Sequence, residues 1–445
     1  MDVNRMHLDK LLGLWDQLVD PKVGIIREIS ELPIDDDEPN FIHYHSTACD
    51  TRQFTALSNF NNNGGASADR YAAIAKAMGE AIERYCSAIF RYNDLLFAPY
   101  WDLDRRATLP DVFALYQPEQ LKQQGFPWQP FTPDAPIAWT LGRSLLSDSD
   151  ILVPAAMVYV PYHYLIFRGD TPITQPISTG LAAGCSFSEA ALSGLCEVIE
   201  RDAFTLTWQT RMSRPRLARD SLPPSTQALV RRFSEVGIEV ELVDITTDLH
   251  ISTVMTLALS DAPSSPAVAV AAATATSPEV AINKSLEELA HTRKFARQIL
   301  KYTPPVPIDV VGAHPQVMEQ KQHLRFYCSQ EAMEFAAFAW ASSEQRAVND
   351  MPDRTQTTPE EELDTLVNVI GAAGYDVIVC DLTTPDIASL GLSVVRAVVP
   401  GLNPLFMGYQ NRALGGKRLY EVPQKLGHPG LEPGEPDNPY PHPFP

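Results

Sequence analysis

A mixed α/β fold, with strands and helices alternating along one chain, is what these 445 residues predict. Three observations predict it. Short apolar runs rich in Val, Ile, Thr and Ala, the mark of buried strands, recur between longer stretches whose apolar residues fall at helical spacing. Several of those longer stretches open on helix-capping residues. Glu-x-x-Glu-Arg stands well inside two of them, at 80–84 and 197–201, each after a small-residue segment. The chain therefore reads as related strand-loop-helix units, with a period too long and uneven for a solenoid.

The elements follow in order. Leu8, Leu11, Leu12, Trp15 and Leu18 recur at helical spacing within the first twenty residues, which carry charges and lack the uninterrupted apolar core of a signal peptide. Helices are expected at 70–90, 187–208, 278–301, 330–342 and 359–373, and strands at 155–160, 238–243, 253–259, 267–273, 377–380 and 393–399. Ser277-Pro278-Glu279 places a hydroxyl cap, a proline and a carboxylate in the order that suits a helix start. Gly64-Gly65-Ala66-Ser67 reads as the loop before the first Glu-x-x-Glu-Arg helix, and Thr179 through Ser186 as the loop before the second. A third unit joins an Ala-rich strand through Thr276-Ser277 to a helix carrying Glu287, Glu288 and Arg293. The last eighteen residues, HPGLEPGEPDNPYPHPFP, predict a polyproline-like or disordered tail with no packed element.

Composition narrows the partners. At 45% hydrophobic and 20% charged, the chain is long enough for a large core. Its 35 basic and 55 acidic residues leave a net charge of -20, which repels nucleic acid and anionic membrane surfaces, so neither is an expected partner. A nucleotide remains admissible if a divalent cation and local arginines offset its charge. Six scattered cysteines without a CxxC pair point to reduced thiols in the cytoplasm. No apolar run reaches the roughly 18 residues that span a membrane.

On a helix at about 100° per residue, Glu80, Glu83 and Arg84 share one sector, with Ile74, Met78, Ala81, Ile82 and Tyr85 opposite. Glu189, Glu197 and Glu200 share another, with Arg201 at its margin and Leu192, Leu195, Val198 and Ile199 on the apolar side. A single such face is ordinarily solvated and held by weak ion pairs. Two copies backed by apolar faces favour a cleft. Clustered carboxylates there would repel and take up protons unless a hard cation such as Mg²⁺ bound them. Arginine forks suit phosphate oxygens, and backbone N–H groups of the small-residue loops would favour an anion at each helix start. Together these suggest a nucleoside triphosphate. On the third helix Arg293 does not share the sector of Glu288, and Glu287 and Arg293 stand evenly between site and surface.

Competing motifs are weak. GxxxxGK[ST], HExxH and GxSxG do not occur. His43, His45 and Cys49 lack a fourth zinc ligand and read as structural, Gly415-Gly416-Lys417-Arg418 reads as a tight turn, and Cys185 as a small loop residue.

The stretches GGASADRYAAIAKAMGEAIERYCS and STGLAAGCSFSEAALSGLCEVIERDAF resemble the two main nucleotide-site motifs of the YcaO superfamily. SPEVAINKSLEELAHTR resembles its third motif and DLTTPDIASLGLSVVRAVVPGLNPL its C-terminal region, so the resemblance spans residues 20 to 423. It implies an α/β fold that binds ATP and Mg²⁺ without a Walker motif. Glu80, Glu83, Glu197 and Glu200 would then serve Mg²⁺, and Ser67, Lys76, Glu80, Arg84, Ser186, Glu189, Arg201 and Arg293 would serve ATP. Lys76 stands where some members have serine, and His291 where many have glutamine. The terminus Pro441-His442-Pro443-Phe444-Pro445 is similar to the PxPxP end of azoline-forming members and implies proton transfer by the Pro445 carboxylate.

The expected domains are 1–63, a lead-in helix and strands; 64–423, the YcaO catalytic domain; and 424–445, the tail. The implied activity is that of a discrete, SagD-like cyclodehydratase, converting Cys, Ser or Thr of a ribosomal precursor peptide to thiazoline or oxazoline in the synthesis of a bacteriocin-like, thiazole/oxazole-modified peptide. Because no leader-binding domain is evident in the sequence, a separate E1-like or ocin-ThiF-like partner is expected. A flavin-dependent azoline dehydrogenase and a second copy of the chain in a homodimer are further partners left open. Backbone thioamidation or amidine formation, and a non-catalytic peptide scaffold, are the alternatives.

Overall fold

The computed structural model describes residues 3–262, 265–306, 317–432 and 434–444. Helix α1 (Val3–Leu12) is followed after Gly13 by a separate turn, Trp15–Leu18, so the expected amphipathic helix is two pieces. An antiparallel sheet of β1 (Ile26–Leu32), β2 (Ile42–Ala48) and β3 (Asn62–Ser67) then carries α2 (Arg70–Ser87) on one face. Asp69 caps that helix by accepting from the Ala72 N–H. The segment 64–67, expected as a loop, is thus part of a strand. Its glycines permit close packing: a Cβ on Gly65 would lie 2.3 Å from the Ala73 carbonyl oxygen, and one on Gly64 2.7 Å from His291 Nε2.

Next come β4 (Leu96–Ala98), β5 (Ile137–Ser144), β6 (Ser149–Pro154), β7 (Leu181–Gly184) and α3 (Phe187–Gln209). The strand expected at 155–160 begins instead as a 3-10 turn, Ala155–Met157, and the neighbouring strand is the preceding Ser149–Pro154. Ala155, Ala156, Val158 and Val160 are all buried, and an apolar run with no alternation does not distinguish a buried turn from a buried strand.

The remaining elements are β8 (Arg216–Leu217), α4 (Pro224–Ser234), β9 (Glu239–Asp244), β10 (Thr253–Leu259), β11 (Val268–Thr274), α5 (Pro278–Tyr302), α6 (Gln320–Phe326), β12 (Gln345–Arg346), α7 (Pro359–Ala372), β13 (Ile378–Asp381), β14 (Ser393–Val398) and α8 (Arg418–Lys425). Ser277 caps α5 and Pro278 opens it, as the sequence predicts. The helix expected at 330–342 breaks into single turns, Gln330–Ala332, Met333–Ala336 and Ala337–Trp340. Tertiary packing overrides propensity there, since Phe335 stacks on Tyr440 at 3.9 Å and Phe338 meets Trp208 at a tilt, 5.2 Å between centroids.

The second sheet has the order β4-β5-β13-β14-β7 with β6 beside β5, and the third β11-β10-β9-β8-β12. Apart from the parallel pair β8 and β12, all these pairings are antiparallel, which makes the fold α+β. Helix α2 packs on β3, β2 and β7, α3 on β7, β14 and β11, and α5 on β11 and β10. Helices α2 and α3 thus share β7, and α3 and α5 share β11. Met78, Ala81, Ile82 and Tyr85 anchor α2, while Leu195, Val198 and Ile199 anchor α3, so the polar faces of both are left to meet.

Just before β7, Gly180 has φ +89°, and a Cβ there would lie 2.3 Å from the Ala397 carbonyl oxygen. Gly180→Ala is expected to cost about 2 kcal/mol or more and to lower Tm measurably in a thermal melt. The tail forms no helix or strand across 434–444, yet Asn438, His442 and Phe444 are buried, which corrects the compositional expectation. Aromatic side chains alternating with proline give this segment an inward face that composition alone does not reveal. Among the described residues no helix is long and apolar enough to cross a membrane.

Candidate active site

Helices α2 and α3 present the same arrangement twice. Glu80 Oε2 accepts the Gly64 N–H at 2.8 Å, and Glu197 Oε2 accepts the Gly180 N–H at 3.1 Å. One turn on, Arg84 Nη2 lies 3.5 Å from Glu80 Oε1 and its Nη1 3.0 Å from Glu83 Oε1. Arg201 repeats this, with Nη2 3.2 Å from Glu197 Oε1 and Nη1 3.3 Å from Glu200 Oε1. The spacing Glu-x-x-Glu-Arg produces this geometry because residues three and four apart share a helix face.

Both sets line one cleft of about 1110 Å³, together with Lys76, Glu189 and Glu288. That volume exceeds the usual ~300–1,000 Å³ of a small-molecule pocket, which leaves room for a nucleotide and part of a second substrate. Burial pushes the Glu83 carboxyl up to about 8; Glu197 and Glu80 add to the shift, and Arg84 opposes it. Burial likewise pushes Glu200 up to about 8, with Glu197 and Glu288 adding and Arg201 opposing. Both therefore hold a proton more tightly than an ordinary carboxyl does, and a cation would favour its release. Among the described residues Arg201 Nε is buried with no hydrogen-bond partner, and Arg84 Nη1 and Arg201 Nη1 meet only their ion-pair contacts to Glu83 and Glu200, which leaves donor capacity for phosphate oxygens.

Among the described residues no three His, Cys, Asp or Glu side chains converge closely enough to hold a metal by themselves. Each carboxylate pair is turned towards its own arginine. This donor set suits Mg²⁺, which typically takes one or two carboxylates and completes its octahedron with water and substrate phosphate.

The structure brings Lys76, Glu80, Glu83, Arg84, Glu189, Glu197, Glu200 and Arg201 to the cleft. Ser67, Ser186 and Arg293 are not among its walls. Ser67 Oγ donates to Glu287 Oε1 at 2.6 Å, the exposed Ser186 caps α3 by accepting the Glu189 N–H, and Arg293 is buried, donating to Ser265 Oγ at 2.6 Å. Lys76 Nζ already pairs with Glu287 Oε2 at 2.8 Å, so it reaches a phosphate only by leaving that partner. The backbone N–H groups expected to face an anion are likewise engaged: those of Gly64, Gly180 and Cys185 go to Glu80, Glu197 and Glu189. The glycine segments fix carboxylates in place. Pro445 lies outside the described residues.

One residue that sequence reasoning missed is Arg396 on β14. It is buried, donates to the Ile177 carbonyl at 2.7 Å, and faces Glu197 and Glu83; burial pushes its pKa down to about 10. A lone arginine within the apolar run SVVRAVV was the available signal, since a buried charge requires a buried counter-charge.

A pH dependence follows from the two raised carboxyls. Their folded-state pKa of about 8 exceeds the ordinary 4.5, so the stability they confer is present below that ordinary value and is lost as pH rises through about 8. The nucleotide-free protein is expected to lose Tm progressively between about pH 4.5 and 8, and Mg²⁺ with ATP to restore most of the loss, as read by thermal melts.

The sequence model of the YcaO cyclodehydratases, described as ATP- and Mg²⁺-binding, matches residues 64–403. The chain belongs to the YcaO family. It is thus an enzyme of the cyclodehydratase type, with ATP and Mg²⁺ as its cofactors. This YcaO protein is 29% identical over 350 residues to an uncharacterised protein of Methanothermobacter thermautotrophicus, covering 76% of this chain and 80% of that one. Its fold is similar to that of a heterocyclase solved in complex with substrate and cofactor, with a TM-score of 0.77 and 22% identity over 98% of this chain. The chain spans only 57% of that heterocyclase's length. It is also similar to YcaO from Methanopyrus kandleri, solved with AMPPCP and Mg²⁺, with a TM-score of 0.65 and 20% identity over 96% of this chain and 95% of that one. At these identities the two structural likenesses are likenesses of fold.

Proposed function

We propose that this YcaO protein converts Cys, Ser or Thr residues of a ribosomal precursor peptide to azolines, consuming one ATP per ring. The observation that carries this reading is the duplicated carboxylate and arginine set on α2 and α3, facing one cleft large enough for nucleotide and peptide together. The side-chain thiol or hydroxyl gives up its proton and its sulfur or oxygen adds to the preceding backbone carbonyl carbon, as the C=O π pair moves onto the carbonyl oxygen. The former carbonyl oxygen takes the γ-phosphoryl group, then leaves as phosphate while the nitrogen lone pair forms the C=N bond and its proton departs. The products are the ring, ADP and phosphate.

Arg84 and Arg201 hold phosphate oxygens with guanidinium donors that Glu83 and Glu200 do not saturate, and Glu80 and Glu197 keep those arginines aligned. Glu83 and Glu200, once ionised, would hold Mg²⁺, which would supply charge neutralisation at the phosphoryl group. Residues 64–423 form the catalytic domain in this reading, with 1–63 as the lead-in and 424–445 as the tail. The resemblance to discrete family members supports a separate protein that grips the precursor's leader.

Mass spectrometry of the precursor after incubation with ATP and that partner tests the reaction. A loss of about 18 Da per ring, ATP-dependent and matched by ADP, is the expected result. A gain in mass on a backbone amide would contradict it.

A further inference from the structure

Residues 438–444 run along α3 towards the cleft and are fastened at successive points. The Asn438 N–H donates to the Gln209 carbonyl at 2.9 Å, Tyr440 stacks on Phe335, and Tyr327 Oη donates to the Pro441 carbonyl at 2.6 Å. The last fastening is a pair of wholly buried histidines, His323 from α6 and His442 from the tail, whose rings stack at 4.1 Å and 24°. His323 Nε2 accepts the Gly408 N–H at 3.0 Å, so its proton sits on Nδ1 and is donated to the His442 carbonyl at 2.9 Å. His442 donates from Nε2 to the Phe406 carbonyl at 2.7 Å. Each ring is held in one tautomer, and α6, the tail and the 406–408 segment are tied at one point.

Beyond that point Phe444 enters the cleft. Its ring lies 4.4 Å from that of Phe204 and beneath the Arg201 guanidinium, 4.3 Å from ring centroid to Cζ. Arg201 is held through Nη2 and Nη1 by Glu197 and Glu200, and the aromatic face adds a restraint on the plane of its fork. Among the described residues no ring lies over Arg84, its counterpart on α2. The duplicated site is therefore asymmetric: the arginine of α3 is braced and that of α2 is held by carboxylates alone.

We propose that His323 is a positioning residue of the nucleotide site, holding Arg201 in place through the stacked His442 and the Phe444 ring. The proposal rests on the reading above, in which Arg201 binds ATP phosphate. His323 touches no substrate. Burial pushes its pKa down to about 4, so the clasp stays neutral and closed across the ordinary working range of pH.

The test is a double-mutant cycle on nucleotide affinity, measured by calorimetry with Mg²⁺ and a non-hydrolysable ATP analogue on the full chain. His323→Phe keeps the ring and loses both hydrogen bonds, and Phe444→Ala removes the brace. Each is expected to weaken affinity about tenfold, and the double variant is expected to be no weaker than either single one, because both act through one contact. His323→Asn, which keeps a donor near Nδ1, is expected to recover most of the loss; if His323→Phe proves too unstable to purify, this variant and Phe444→Ala carry the comparison. Unchanged affinity in folded variants, or losses that multiply in the double variant, would overturn the clasp. A cycle that behaves as expected in a protein that forms no rings would overturn the reaction instead.

Discussion

Glu200→Ala is expected to abolish ATP-dependent ring formation, lowering kcat by about 1,000-fold, while leaving the fold intact. Glu200 sits 3.3 Å from Arg201 on the inner face of α3, and burial raises its carboxyl to about 8. A group so placed does not stabilise the metal-free fold once pH passes its folded-state value, so its removal should leave Tm at pH 8, roughly, unchanged or slightly higher. It contributes instead when a cation and phosphates enter. The variant thus separates two roles that most site mutations confound: a structural glutamate lowers Tm when removed, and a metal ligand lowers turnover alone. Mass spectrometry of the precursor and a thermal melt on the same preparation read both quantities.

Arg418→Met is expected to be the most damaging single change to stability, costing about 3–5 kcal/mol and lowering Tm by roughly 5–10 °C. Arg418 is almost wholly buried at the start of α8, with Nη2 2.7 Å from Asp202 Oδ2 and 2.8 Å from Asp248 Oδ1. Asp202 is fully buried on α3 and also accepts the backbone and side-chain N–H groups of Asn403 at 2.8 and 2.9 Å. Methionine fills the space and leaves that carboxylate without its cation. Lysine is not an adequate substitute, since one ammonium cannot reproduce a fork that spans two aspartates. As Asp202 adjoins Arg201, the nucleotide site should loosen with the fold, and Arg418→Met should weaken nucleotide binding at temperatures below its own melt.

The legibility of the sequence divides along physical lines. The faces of α2 and α3 were readable because helical periodicity converts spacing directly into direction, and two copies of one pattern point to a shared purpose. Strands 253–259, 238–243 and 267–273 were readable from continuous buried runs, and the structure places them at or within a residue of those bounds. What escaped is what depends on distant neighbours. Gly64 and Gly65 look like a phosphate loop in isolation, and only the approach of α2 and His291 explains their size. Gly415-Gly416-Lys417-Arg418 looks like no more than a tight turn until Asp202 and Asp248 are seen to claim its arginine. Arg293 shares a motif with the site residues, yet at its place on α5 it meets Ser265 instead. The tail's Tyr440, His442 and Phe444 pack against rings from three separate regions, which no local rule predicts.

The central claim is that carboxylates and arginines of α2 and α3 close around one metal-bound triphosphate. A crystal structure with Mn²⁺ and a non-hydrolysable ATP analogue measures this directly, because anomalous scattering locates the ion without reference to the protein. The account predicts the ion between the two helices, within about 2.5 Å of carboxylate oxygens drawn from Glu80, Glu83, Glu197 and Glu200, with Arg84 and Arg201 on phosphate oxygens. An ion and nucleotide bound elsewhere, with both arginines still paired to their own glutamates across an empty cleft, would contradict it.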